Sequence, residues 1–248
     1  MYKPMLNMLK RHVQGFTYLL SHPLQLKRLI IREARYGQRN RNRRNWVQWQ
    51  KYATELSAAS HSSATAYARP LNVARIKTIS GMVSRLGNGL RVLDVGCGDG
   101  VISEPISRMG NHVTSVDLPT IAILAHRRRV SSVVASDAEH LAFAANSFDV
   151  VLASEVVEHL WNPHSFFDEV YRVLRAKGHL IIETPEGRES LRYDDHKHYF
   201  TVERLKQMLG TRFNICEVKR LEPKLGAPTP TIILLLRKIN ELKETNSE

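Results

Sequence analysis

The stretch that decides how this chain folds is Val92-Leu93-Asp94-Val95-Gly96-Cys97-Gly98-Asp99-Gly100. A short apolar run followed by glycine at every second position reads as a buried strand entering a tight turn that opens a helix. Glycine takes left-handed backbone there and lets a ligand approach the main chain. The spacing is G-x-G-x-G, whereas the dinucleotide form G-x-G-x-x-G would need glycine where Val101 stands. Asp94 would also set a carboxylate where a nicotinamide cofactor's pyrophosphate would lie, so the turn prefers a cation.

Working outward, apolar runs alternate with helical segments, the pattern of a parallel sheet covered on both faces. Strands are expected near 90–95, 112–117, 132–135, 148–154, 178–184, 213–221 and 230–237. Helices are expected near 70–86, 101–109, 119–128, 163–175 and 201–209. Asn162-Pro163 and Thr201 suit helix starts. The last two strands, joined by residues 222–229 without room for a helix, should pair antiparallel. The fold class is therefore α/β, a doubly wound and mostly parallel sheet.

A chain of 248 residues that is 43% hydrophobic can bury a full core without metal or disulfide staples. Its two cysteines, Cys97 and Cys216, point to a reducing, cytoplasmic setting rather than a secreted disulfide scaffold. No apolar run approaches the roughly 20 residues of a membrane span, and no signal-type core is seen, so neither spanning nor export is expected. The formal charge of +12 is concentrated: residues 1–50 hold eleven Lys and Arg against the single acid Glu33. Residues 1–65 read as a basic, partly helical arm, and residues 66–248 as the α/β domain. Leu6, Leu9, Val13, Phe16 and Leu20 form one apolar stripe in the arm. Three uses of the arm stay open: packing on the body or in a homo-oligomer, peripheral contact with an anionic membrane, or binding of RNA phosphates.

S-adenosylmethionine supplies the cation that the glycine turn prefers, and the next strand ends suit its other parts. Asp117 can accept from both ribose hydroxyls, and Asp137-Ala138 can read the adenine edge. Ser154-Glu155-Val156-Val157-Glu158-His159 ends the fourth strand at the pocket mouth. On these residues, 89–185 resembles the class I S-adenosylmethionine-dependent methyltransferases. Ser103-Glu104-Pro105, Glu155 to His159 and Asn162-Pro163 look like the ubiquinone-biosynthesis type acting on small molecules. The resemblance implies a seven-stranded Rossmann-like sheet with the last strand antiparallel. It also implies Gly96, Gly98 and Gly100 under the cofactor, Asp117 on its ribose and Asp137 near its adenine. With the neighbours Asp94, Cys97, Leu118, Ala138 and Ser154, these make up the expected cofactor site. Cys97 is expected to pack as a small side chain.

The expected activity is methyl transfer to oxygen or nitrogen of a small-molecule acceptor such as a sugar, a quinone-like ring or a lipid-linked intermediate. His159, just past the fourth strand and with an ordinary imidazole pKa, is the first choice of base, with His196 and His198 in reserve. The acceptor is expected under a loop from Glu183 to Phe200. His196 and His198 beside Asp194 and Asp195 read as a solvated loop rather than a metal site. Two rival readings are an RNA methyltransferase, although no Asn/Asp-Pro-Pro-aromatic motif follows the fourth strand, and a silent scaffold, although the glycine turn and ribose acid are intact.

Overall fold

The computed structural model describes residues 70–118, 132–193, 195–223 and 229–239. The arm, its boundary at 65/66 and the helix expected over 119–128 lie outside the described residues. Helix α1 (Pro70–Leu86) leads into β1 (Arg91–Val95), α2 (Ser103–Arg108), β2 (His112–Asp117) and β3 (Ser132–Ala135). Then come β4 (Phe148–Ser154), a 3₁₀ turn (Val157–His159), α3 (Pro163–Val173) and β5 (Leu174–Pro185). A second 3₁₀ turn (Arg188–Arg192), α4 (Val202–Leu209), β6 (Phe213–Leu221) and β7 (Thr231–Lys238) complete the fold.

Seven strands form one sheet in the order β3-β2-β1-β4-β5-β7-β6. The first five run parallel, and β7 lies antiparallel between β5 and β6. Alternation along each strand sends successive side chains to opposite faces. Val92, Val150, Leu152 and Ile181 meet Ile79, Met82, Val83 and Ile106 of α1 and α2. Leu93, Val95, Val151, Ala153, Leu180 and Ile182 meet Phe166, Phe167, Val170, Leu205 and Leu209 of α3 and α4. The central strands β1, β4 and β7 and the second half of β5 thus bury both faces, which is why their sequences are largely apolar without alternation.

The expected helix starts hold: Asn162 accepts from Ser165 N ahead of Pro163, and Thr201 accepts from Arg204 N. Two boundaries differ from expectation. Helix α3 ends at Val173 rather than near 175, because Leu174 turns to extended backbone (φ −70°, ψ 133°) and opens β5; the Lys238 ammonium donates to the Tyr171 and Leu174 carbonyls there. Strand β5 starts at Leu174 rather than 178, because a register shift in its pairing with β4 carries the chain past Lys177, at φ 60°. Gly178 follows there, where a Cβ would stand 3.0 Å from the Arg175 carbonyl and 3.1 Å from that of Asp149. No helix among the described residues is long and apolar enough to cross a membrane.

Candidate active site

Parallel strands bring their carboxyl ends to one edge of the sheet, where open α/β folds bind ligands. At β1 the turn is fixed by Gly96 N and Cys97 N, which donate to Val116 O at 2.8 and 3.1 Å. Gly96, Gly98 and Gly100 all have positive φ, 70°, 56° and 82°. Their roles differ. A Cβ on Gly96 would lie 2.2 Å from Val156 Cγ2, whereas one on Gly98 would meet nothing within 4 Å. Gly96 therefore closes the turn against the protein, and Gly98 faces open space of the kind a ligand fills.

Beside that space Asp117 accepts from Gly98 N (2.9 Å) and Leu118 N (2.6 Å). Each carboxylate oxygen keeps a further lone pair for a hydroxyl. Burial raises its pKa to about 6. At the end of β3, Ser136 N donates to Asp117 O, and Asp137 closes a turn by accepting from Glu139 N at 2.9 Å, with Ala138 between them. The buried Ser136 hydroxyl has no hydrogen-bond partner among the described residues. Asp94 turns away from this space. Its carboxylate sits beneath the loop, 1% exposed, where Ser103 donates to it and Ser115 donates to Ser103. Burial lifts its pKa to about 7. Asp94 was expected to face the cofactor; its alternation along β1 places it toward α2 instead. Cys97 is buried, with Sγ 3.8 Å from Gly98 O, and burial raises its thiol well above the ordinary range.

The ends of β4 and β5 hold a buried charge cluster. Ser154 and Glu183 are paired across the two strands, and Ser154 Oγ donates to Glu183 Oε2. Arg75 reaches in from α1 and donates to both, at 2.8 Å each. Burial is the largest single influence and opposes the guanidinium's charge, but Glu183, Glu155 and Glu158 together outweigh it and raise the pKa. Glu155 takes positive φ (55°) and donates its N–H to Glu183 O. Burial, with Glu183 and Glu158 nearby, raises its carboxyl well above the usual range. Burial likewise raises Glu158 to about 8, while Thr184 Oγ1 donates to its Oε2 at 2.9 Å.

His159 stands next to this cluster. Its Nδ1 lies 3.2 Å from Asp195 O and 3.4 Å from Asp195 Oδ2, and its Nε2 is 4.0 Å from Glu158 Oε1. Burial lowers its pKa to about 4, against the expectation of an unperturbed imidazole. His196 joins it with an edge-on ring contact at 4.8 Å, and its own ring packs on Tyr193. The expectation of a solvated loop is thus corrected for His196. Glu158, His159 and His196 offer ligand atoms that all lie within 4.8 Å of one another. His198 is not drawn in. Its ring packs 6.3 Å from Phe200 and meets the backbone of Leu160 and Trp161 rather than the His159 ring, while its N–H donates to Glu158 O. The expected loop also begins later, since Glu183, Thr184 and Pro185 finish β5.

Arg75, Thr184 and Lys197 escaped the sequence reading, and Asp195 was read only as part of a solvated loop and not as the partner of the His159 ring. None belongs to a spaced motif, and each reaches the site through the fold.

Residues 93–182 match the family model described as a methyltransferase domain. The ubiquinone biosynthesis O-methyltransferase of Rhizobium leguminosarum bv. trifolii is 41% identical over 102 residues, covering 39% of this chain and 40% of that protein. The mitochondrial ubiquinone biosynthesis O-methyltransferase of Rattus norvegicus is 39% identical over 107 residues, covering 39% and 31%. The chain thus spans well under half the length of these relatives. Among solved structures, the Burkholderia thailandensis 1,6-didemethyltoxoflavin-N1-methyltransferase with bound S-adenosylhomocysteine superposes with TM-score 0.59 at 21% identity, over 78% of this chain and 90% of that one. A chain of the Haloferax volcanii complex between the Trm112 methyltransferase activator and a methyltransferase gives TM-score 0.63 at 13% identity, over 78% and 97%. The glycine turn, the acid that ends β2 and this match together make residues 93–182 a class I S-adenosylmethionine-dependent methyltransferase domain, related to the ubiquinone-biosynthesis O-methyltransferases.

Proposed function

We propose that the chain methylates an oxygen or nitrogen of a small-molecule acceptor from S-adenosylmethionine, with His159 as the base. The observation that carries this reading is the open space over Gly98, bordered by Asp117, at the same sheet edge as the His159 imidazole. The names of the curated relatives favour oxygen and, among the acceptors considered, a quinone-like ring.

S-adenosylmethionine brings a methyl group already activated by its sulfonium. Gly98 and the turn's backbone would cradle it, Asp117 would accept from its ribose, and Asp137 with Ala138 would border its adenine. When bound it would supply that methyl to an acceptor lone pair, the carbon–sulfur electron pair leaving with the sulfur as a neutral thioether. The acceptor's proton passes to His159 Nε2. Holding the acceptor in line supplies most of the acceleration, and base help adds about 10²- to 10⁴-fold. Burial lowers its pKa to about 4, so the ring is unprotonated at neutral pH, and the same burial makes it a weaker base than a free imidazole, placing its contribution at the low end of that range.

The test incubates the full chain with methyl-labelled S-adenosylmethionine and with lipid, aqueous and RNA fractions of a cell extract. Label should enter a small molecule, and His159→Ala should lower the rate by about 10²-fold or more while cofactor affinity is kept. The loss should shrink for acceptors that ionise easily. Label in RNA alone, or in nothing, overturns the reading; equal rates in wild type and His159→Ala across pH remove His159 from the mechanism.

A further inference from the structure

The 3₁₀ turn that carries His159 has no side-chain cap at its start, and its last carbonyls lack partners within the turn. They are satisfied from one place, the segment between β5 and α4. Glu158 O accepts from Lys197 N at 2.8 Å and His198 N at 3.2 Å. His159 O accepts from Lys197 Nζ at 2.7 Å, and the same ammonium lies 4.7 Å from the Trp161 ring centroid. Asp195, two residues earlier, meets the His159 ring.

Both oxygens that Asp195 turns toward His159 can only accept: one is a carbonyl and the other a carboxylate. Nδ1 must therefore carry the ring proton, which makes Nε2 the proton-accepting nitrogen. The segment is itself anchored. Gly187 N donates to Phe200 O at 2.8 Å across its base, and Arg188 and Arg204 both stack on Tyr199, at 5.4 and 4.4 Å.

We propose that Lys197 is a positioning residue of the reaction centre: its ammonium latches the segment onto the His159 turn, so that Asp195 fixes His159 in the Nδ1–H form with Nε2 available to the acceptor. This rests on the reading of His159 as the base. Among the described residues the Lys197 ammonium meets His159 O, the Trp161 ring and the charges of Asp195 and Glu139, so its effect should reach the imidazole and leave cofactor binding alone. An unlatched turn would let the ring proton exchange between the two nitrogens.

The test is imidazole ¹⁵N NMR of the full chain at neutral pH, saturated with S-adenosylhomocysteine, with the His159 signals assigned from their loss in His159→Ala. In wild type the two His159 nitrogens should be far apart in shift, with Nδ1 protonated. In Lys197→Met the two shifts should move toward each other as the forms mix, and S-adenosylhomocysteine affinity should stay within about twofold. Lys197→Arg, which keeps a cationic donor for His159 O, should restore the separation. If Lys197→Met does not fold, Lys197→Gln gives the same comparison. Wild-type shifts in the Met or Gln variant, or a protonated Nε2 in wild type, overturn the proposal. These readouts do not depend on turnover, so a failure of His159 as base would show separately, in the His159→Ala rates.

Discussion

Three glycines share one turn, yet only the space around each tells what it does. Gly96→Ala would press a methyl group to 2.2 Å from Val156 Cγ2, so its melting temperature should fall by several degrees. Gly98→Ala meets open space and should lose only about 1 kcal/mol for holding a side chain at φ 56°, while S-adenosylhomocysteine affinity drops sharply because the methyl occupies the ligand's place. Equal melting losses with equal affinities would contradict this division. Asp94, beneath the same turn, makes a statement about pH. Its folded pKa is raised from the usual 3.8 to about 7, so the folded state holds its proton more tightly than the unfolded chain. The resulting stabilisation is complete below pH 3.8 and is lost as pH rises through 7. Between pH 5 and pH 8 the wild type should therefore lose more melting temperature than Asp94→Asn, whose amide oxygen can still accept from Ser103. Parallel curves would show that the Asp94 carboxyl does not titrate in that window.

Among the elements, α1 stands outside the matched residues 93–182 but delivers Arg75 to the ends of β4 and β5. Glu183 there is fully buried, and Arg75 is the cation bonded to it. Removing one partner of a buried ion pair strands the other charge and costs about 3–5 kcal/mol. Arg75→Met should therefore destabilise strongly in denaturant titration, and Arg75→Met with Glu183→Gln should recover much of the loss. A double variant as unstable as the single one would mean that Arg75 contributes packing rather than charge. The turn at Val157–His159 shows the same dependence on distant elements, since its carbonyls and imidazole are held by the segment before α4.

Across the whole molecule, what could be read beforehand was what is local. The glycine turn with Asp117 and the caps at Asn162 and Thr201 lie in short windows where one residue's backbone preference decides. The positions of the central strands also followed, because strands buried on both faces leave continuous apolar runs, whereas the strand order is set by pairings between distant segments. Arg75 meets Ser154 and Glu183 across 79 and 108 residues, and Lys197 meets His159 across 38. Such pairs leave no periodicity in the sequence. The imidazole's lowered pKa was hidden for the same reason, since the burial that causes it is a property of the packed site. His196 and His198 look alike in a run of polar residues and were held as equal reserves; only the turn of the loop sets His196 against the His159 ring and His198 against Phe200.

On the reading proposed above, this sheet edge holds S-adenosylmethionine between the glycine turn and Asp117. Calorimetric titration of S-adenosylhomocysteine into the full-length protein and into Asp117→Ala tests it most directly. One equivalent should bind per wild-type chain, and loss of the charged acceptor should weaken binding by about tenfold or more. Absence of binding to the wild type, or the same affinity in both proteins, would contradict the account.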